Sequence, residues 1–199
     1  MKIGILGGTF DPPHVGHLTL AETVRMKLGL TKVLFVPAGN PYLKTDRDIT
    51  DVEHRLAMVK LAISGKSHFE LSTVEAERSR PSYTVDTLAE LKKRSGRREL
   101  YFILGWDNLL ELPRWHEPVK IVELCYLAAV PRVGYPVPDL EALEKEIPGI
   151  SQKTIVLDGP LINISSTVVR ERVAEGLSIE HLVPEAVGEY IGKNGLYKA

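Results

Sequence analysis

Six short apolar runs punctuate the chain: Lys2–Leu6, Lys32–Pro37, Phe69–Thr73, Glu99–Leu104, Leu124–Val130 and Thr154–Leu157. Most are continuous rather than alternating in polarity, the pattern of strands covered on both faces. Between them, apolar residues recur at helical spacing. Val15, Leu18, Ala21, Val24 and Leu28 form one stripe; Leu56, Val59 and Ile63 form a second; Val85, Leu88 and Leu91 form a third. Thr50-Asp51-Val52-Glu53 reads as a capping box ahead of the second stripe, and Ser82 as a cap for the third. Pro184-Glu185 opens a last helix through Val187 and Ile191, stopped near Asn194-Gly195. Ala38–Thr50 and Arg132–Ser151 read as loops, the second around a short helix. Strand–helix alternation of this kind predicts an α/β fold with a mainly parallel sheet and helices on both of its faces.

At 199 residues, with no internal repeat and no linker-like tract, the chain reads as one domain spanning 1–199. A chain of this length buries about 70% of its unfolded surface, so no disulfide or metal staple is needed. The charge is balanced, 25 Lys+Arg against 26 Asp+Glu, which argues against a nucleic-acid partner, since phosphate backbones select a basic excess. The single cysteine, Cys125, rules out a disulfide framework and, lying in an apolar run, reads as an inert buried thiol. No run approaches the ~20 apolar residues of a membrane helix, and the N-terminal run is too short for a signal peptide. The expectation is a cytoplasmic protein with no membrane partner, for which a homo-oligomer stays open.

The chemistry concentrates in Gly7-Gly8-Thr9-Phe10-Asp11-Pro12-Pro13-His14-Val15-Gly16-His17-Leu18. This segment follows the first strand and enters the first amphipathic helix, where open α/β sheets place their ligands. Two glycines admit a ligand close to the backbone, and a helix N-terminus offers unpaired N–H groups to an anion. His14 and His17, three apart, share one face there. Neither the dinucleotide fingerprint nor the G-x-x-x-x-G-K-[ST] phosphate loop is present, and a His-x-x-His zinc pair has no evident third ligand. No protein metal site is expected. A second anion-binding start is Ile164-Ser165-Ser166-Thr167-Val168-Val169-Arg170, three hydroxyl residues ahead of a helix with Arg170 one turn in. Together the two describe helix N-termini converging on a polyphosphate.

Gly-Gly-Thr-Phe-Asp-Pro-x-His-x-Gly-His with Ile-Ser-Ser-Thr-x-x-Arg resembles the nucleotidylyltransferase superfamily, marked by His-x-Gly-His. Ser82-Tyr83-Thr84-Val85-Asp86-Thr87-Leu88 and the Trp of Leu112-Pro113-Arg114-Trp115 narrow the resemblance to the bacterial nicotinate-nucleotide adenylyltransferases, with Glu53–Met58 a further matching stretch. The chain departs from that pattern at Trp106, at Pro41–Lys44 and at Val133. The resemblance implies a Rossmann-like, doubly wound sheet and an NAD-biosynthetic reaction. In it, nicotinate mononucleotide attacks the α-phosphorus of ATP, giving nicotinate adenine dinucleotide and pyrophosphate, with Mg2+ carried by ATP. An ionised phosphate nucleophile requires neither a general base nor a covalent intermediate, so alignment and electrostatic stabilisation suffice. His17, His14, Arg170 and Lys44 are then the catalytic candidates. Gly8, Thr9, Phe10, Ser165, Ser166, Thr167 and Asp107 would hold ATP. Tyr83 and Thr84 would take the nicotinate carboxylate on backbone N–H groups, and Trp115 would face the pyridine ring. Three alternatives stay open: a nicotinamide-mononucleotide or phosphopantetheine adenylyltransferase, and a non-catalytic nucleotide sensor.

Overall fold

The six runs become six strands: β1 (Lys2–Gly8), β2 (Lys32–Pro37), β3 (Phe69–Leu71), β4 (Glu99–Gly105), β5 (Tyr126–Val130) and β6 (Thr154–Val156). In this computed structural model they form one sheet in the order β3-β2-β1-β4-β5-β6, with every neighbouring pair parallel. The structure describes residues 1–39, 49–78, 83–159 and 163–198. Lys44 and Ser82 therefore lie outside the described residues.

The helices are α1 (Val15–Leu28), α2 (Val52–Ala62), α3 (Thr84–Ser95), α4 (Trp106–Glu111), α5 (Pro118–Leu124), α6 (Leu140–Glu146), α7 (Ile150–Lys153), α8 (Ser166–Ala174) and α9 (Glu185–Lys193). Strand residues alternate between two cores, one on each face of the sheet. Ile3, Ile5, Leu34, Val36, Leu100, Phe102, Leu127 and Ala129 face α3 and α5. Leu6, Val33, Phe35, Tyr101, Ile103, Ala128 and Val130 face α1 and the ring of Phe10. A third cluster, with Met58, Ala62, Val169, Val183, Val187 and Ile191, packs α8 and α9 on α2. This packing carries the C-terminal helices to the carboxyl end of the sheet.

Several local expectations are corrected. β5 begins at Tyr126, because Leu124 closes α5 and Cys125 caps it. The capping box before α2 does not form: Asp51 is the N-cap residue and makes no side-chain cap bond. The Thr50 carbonyl instead accepts a hydrogen bond from Arg55 Nε. α3 starts after Tyr83 as its N-cap. The short helix expected within Arg132–Ser151 is α6, capped by Asp139, and the stretch also holds the start of α7. Ser166 and Thr167 lie inside α8 rather than before it, and Ser165 alone is the cap. Cys125 is buried, and burial pushes its thiol up to about 12, so it is inert as expected.

Candidate active site

Strand order reverses between β1 and β4, and the crevice at the carboxyl ends of these strands is where doubly wound sheets bind ligands. An open cavity of about 350 Å³ lies there. Its lining includes Gly8, Thr9, Phe10, His14, His17, Asp107, Ser165, Ser166, Thr167 and Arg170. The two helix N-termini read from the sequence thus converge, although about 150 residues separate their segments.

His14 is the N-cap of α1, in extended backbone, and His17 lies in the first turn. Their rings stack with centroids 3.6 Å apart. His17 Nδ1 accepts a hydrogen bond from the His14 backbone N–H at 3.2 Å. A neutral His17 ring consequently carries its proton on Nε2, a donor aimed away from its own helix turn. Burial, reinforced by the positive Arg132, lowers His14 to about 4, so it is uncharged at neutral pH. Phe10 is 1% exposed and has φ 51°, a left-handed conformation uncommon for a bulky residue. Its ring lies under Gly8, where an added Cβ would come within 3.2 Å, and stands edge-on to His17 at 4.9 Å. A Cβ at position 8 would crowd this ring.

At α8, Ser165 Oγ accepts from Val168 N at 3.2 Å, which leaves its hydroxyl proton to donate. Ser166 differs. Its hydroxyl donates to the Pro12 carbonyl at 2.9 Å, so this lone O–H is spent on the β1–α1 turn. Ser166 can offer an anion its backbone N–H, not the hydroxyl the sequence suggested. Arg170 donates through Nη1 to the Asp11 carbonyl at 2.7 Å and through Nη2 to Thr167 Oγ1 at 3.2 Å. It lines the cavity and braces the turn at once.

Asp107 stands in the first turn of α4 and makes no cap bond. Its Oδ1 is buried without a hydrogen-bond partner among the described residues, and its Oδ2 lies 3.8 Å from Arg132 Nε. Trp106 packs against the protein core on the α3 side of the sheet. Tyr83, Thr84 and Trp115 are not in the cavity lining. Tyr83 and Trp115 belong to the opposite face of the sheet, packed on the α3 core. There the Tyr83 ring lies 4.4 Å from that of His116, and Trp115 stands edge-on to Phe102 at 6.1 Å. At the tip of β1, Gly7 approaches Phe102 on that face of the sheet and Gly8 approaches Phe10 on the face of the cavity.

The sequence did not reveal Arg132, Asn108 or the part played by Asp11, all of which line the cavity. Arg132 follows the carboxyl end of β5, the one signal that could have nominated it. Among the described residues, no group of three or more His, Cys, Asp or Glu could hold a metal, and no helix is long and apolar enough to cross a membrane.

The cytidylyltransferase-like family model matches residues 5–172. A "Probable nicotinate-nucleotide adenylyltransferase" of Dehalococcoides mccartyi strain 195 is 54% identical over 198 residues, 99% of this chain and 97% of that one. A protein of the same name from Thermomicrobium roseum is 46% identical over 197 residues, 99% of this chain and 92% of its own. Among solved structures, the fold is similar to Plasmodium falciparum nicotinic acid mononucleotide adenylyltransferase complexed with NaAD. The TM-score is 0.81 at 23% identity, covering 98% of this chain and 97% of that one. On sequence identity and matched length, the chain belongs to the cytidylyltransferase-like family and, within it, to the nicotinate-nucleotide adenylyltransferases.

Proposed function

We propose that this chain, as one domain, joins nicotinate mononucleotide to the adenylyl group of ATP, releasing pyrophosphate. The observation that carries the reading is the convergence of His14, His17 and Arg170, with the N-termini of α1 and α8, on one cavity at the β1–β4 crevice. Two helix N-termini and an arginine fork make a polyphosphate site in a molecule of near-zero net charge.

The triphosphate lies between α1 and α8. A phosphate oxygen of nicotinate mononucleotide attacks the α-phosphorus in line. A new P–O bond forms as the bond from the α-phosphorus to the bridging oxygen breaks, and its electron pair leaves with pyrophosphate. The nucleophile is already ionised, so no proton needs to be removed. His17 donates from Nε2 to the developing negative charge. His14, kept neutral by burial, stacks on it and holds its ring in place. Arg170 and the Ser165 and Thr167 hydroxyls hold the departing phosphates, as do the first N–H groups of α8. Gly8, Thr9 and Phe10 set the backbone where the two substrates meet. Lys44 is proposed to add positive charge to the same phosphates.

The lining suits a magnesium ion carried by ATP. Mg2+ keeps several waters and binds phosphate oxygens through few protein carboxylates. The cavity offers two, Asp107 and Asp11, and Asp11 is engaged by Tyr197. Asp107 and water would complete the shell, and the ion would neutralise phosphate charge. The pyridine ring is assigned to the far side of the β1 tip, against Trp115, with its carboxylate on the first-turn N–H groups of α3 next to Tyr83 and Thr84. A helix N-terminus favours the carboxylate over a neutral amide.

Initial-rate pyrophosphate release, comparing nicotinate with nicotinamide mononucleotide, tests this assignment. The expected result is a preference for the acid of tenfold or more in kcat/KM, about 1.4 kcal/mol. Equal rates would remove the carboxylate site at α3.

A further inference from the structure

The β1–α1 turn is gripped from below by side chains that no step of the reaction uses. Arg55, on α2, is 2% exposed, yet faces no carboxylate within salt-bridge distance among the described residues. Its Nε donates to the Thr50 carbonyl at 2.8 Å. Its Nη1 donates to the carbonyls of Thr9 at 3.0 Å and Ala38 at 2.6 Å, and Nη2 to that of Gly39 at 3.0 Å. One guanidinium thus ties the catalytic turn to the end of β2 and to the entry of α2. From the other end of the chain, Tyr197 donates its hydroxyl to Asp11 Oδ1 at 2.8 Å. Asp11 is itself 1% exposed, and its negative charge acts on Arg55.

A buried charge is a poor source of stability, because an apolar side chain of equal volume generally serves as well or better. What a guanidinium provides here is geometry. Its planar fork fixes several carbonyls in one frame, and a hydroxyl on Asp11 fixes the next residues of the same turn. We propose that Arg55 and Tyr197 are positioning residues for adenylyl transfer. They hold Thr9–Asp11 so that the backbone between Gly8 and His14 presents the acceptor phosphate in line with the α-phosphorus. The inference rests on the adenylyltransferase reading above.

The test compares Arg55→Lys, Arg55→Met and Tyr197→Phe with the wild-type chain well below their melting temperatures. Ile150→Val, a trimmed core residue on α7 far from the turn, is the destabilised control. In pyrophosphate release, both Arg55 variants are expected to lose at least tenfold in kcat and Tyr197→Phe three- to fivefold. KM for ATP stays within threefold, since α8 still binds the triphosphate, and Ile150→Val retains wild-type kcat. Melting temperatures that fall while kcat and KM stay at wild-type values would reduce Arg55 and Tyr197 to structural residues and overturn the proposal. If neither Arg55 variant folds, Tyr197→Phe, which removes one oxygen, decides alone. If the wild-type chain turns over with neither mononucleotide, the adenylyltransferase reading fails. The positioning role falls with it, whereas wild-type turnover with unchanged kcat in the variants overturns the positioning role alone.

Discussion

Glu75 offers a test whose size and sign follow from the structure. It lies behind the N-terminus of α3, where Thr87 Oγ1 donates to Glu75 Oε1 at 2.8 Å and Arg78 Nη1 donates to the same Thr87 oxygen at 3.0 Å. Burial pushes Glu75 up from the ordinary 4.5 to about 7, although Thr87, Arg78 and Arg55 all pull it down. Between those values the folded chain keeps a proton that the unfolded chain has released. Stability from this group is therefore complete below pH 4.5 and is lost as pH rises to 7. At 1.36 kcal/mol per pH unit, the loss is about 3 kcal/mol. His14 runs the other way. Its ordinary value of 6.5 falls to about 4 on folding, so its stability is complete above 6.5 and is lost as pH falls toward 4. In the wild-type chain the two slopes nearly cancel from pH 4.5 to 6.5. Glu75→Gln keeps an acceptor for Thr87 and abolishes the titration. Urea unfolding at pH 4.5, 5.5, 6.5 and 7.5 should find the variant equal to wild type at the acid end and about 3 kcal/mol more stable at pH 7.5. A difference that does not change with pH would refute the reasoning.

Three further outcomes are expected. His17→Ala should lower kcat about 10²–10³-fold, the cost of one preorganised donor to transition-state charge, with the melting temperature little changed; a loss of only a few fold would remove His17 from the transition state. Arg170→Lys cannot serve the Asp11 carbonyl, Thr167 and phosphate together, so kcat/KM for ATP should fall by more than about tenfold, on the scale of charge-assisted hydrogen bonds at about 1.5–3 kcal/mol each; wild-type kinetics would contradict that. Gly39→Ala would place a Cβ 2.2 Å from the Glu75 carbonyl oxygen, and chemical denaturation should show a loss of about 1–3 kcal/mol as the backbone moves; unchanged stability would mean that this close approach is not rigid.

The sheet was legible because its strands are buried on both faces and read as unbroken apolar runs, such as Val33–Pro37 and Leu124–Val130. Boundaries were less so. Leu124 is as apolar as a strand residue, yet it closes α5, a helix that Pro118 starts and that packs Ile121 and Val122 into the core. The histidines and hydroxyl residues were legible because they sit at strand-to-helix turns, where chain order alone places them near the sheet crest. What each one bonds to was not. The Ser166 hydroxyl looked available and is spent on Pro12, 154 residues away in sequence. Arg55 sits between Leu56 and His54 like any surface charge of an amphipathic helix, and only the fold turns it inward. Arg132 and Asp107 face each other across β4 and β5, a pairing that no local pattern encodes. The separation of Tyr83 and Trp115 from the cavity also needed the structure, since alternation along β1 puts Gly7 and Gly8 on opposite faces only once the sheet exists.

The most direct measurement incubates the purified chain with ATP, Mg2+ and nicotinate mononucleotide, then identifies the products by mass spectrometry while pyrophosphate is quantified. The expected result is nicotinate adenine dinucleotide and pyrophosphate in equal amounts, in quantities far above the enzyme concentration and lower by about 10²–10³-fold in His17→Ala over the same interval. ATP bound without dinucleotide formation, or pyrophosphate released without the acceptor, would contradict adenylyl transfer at this site.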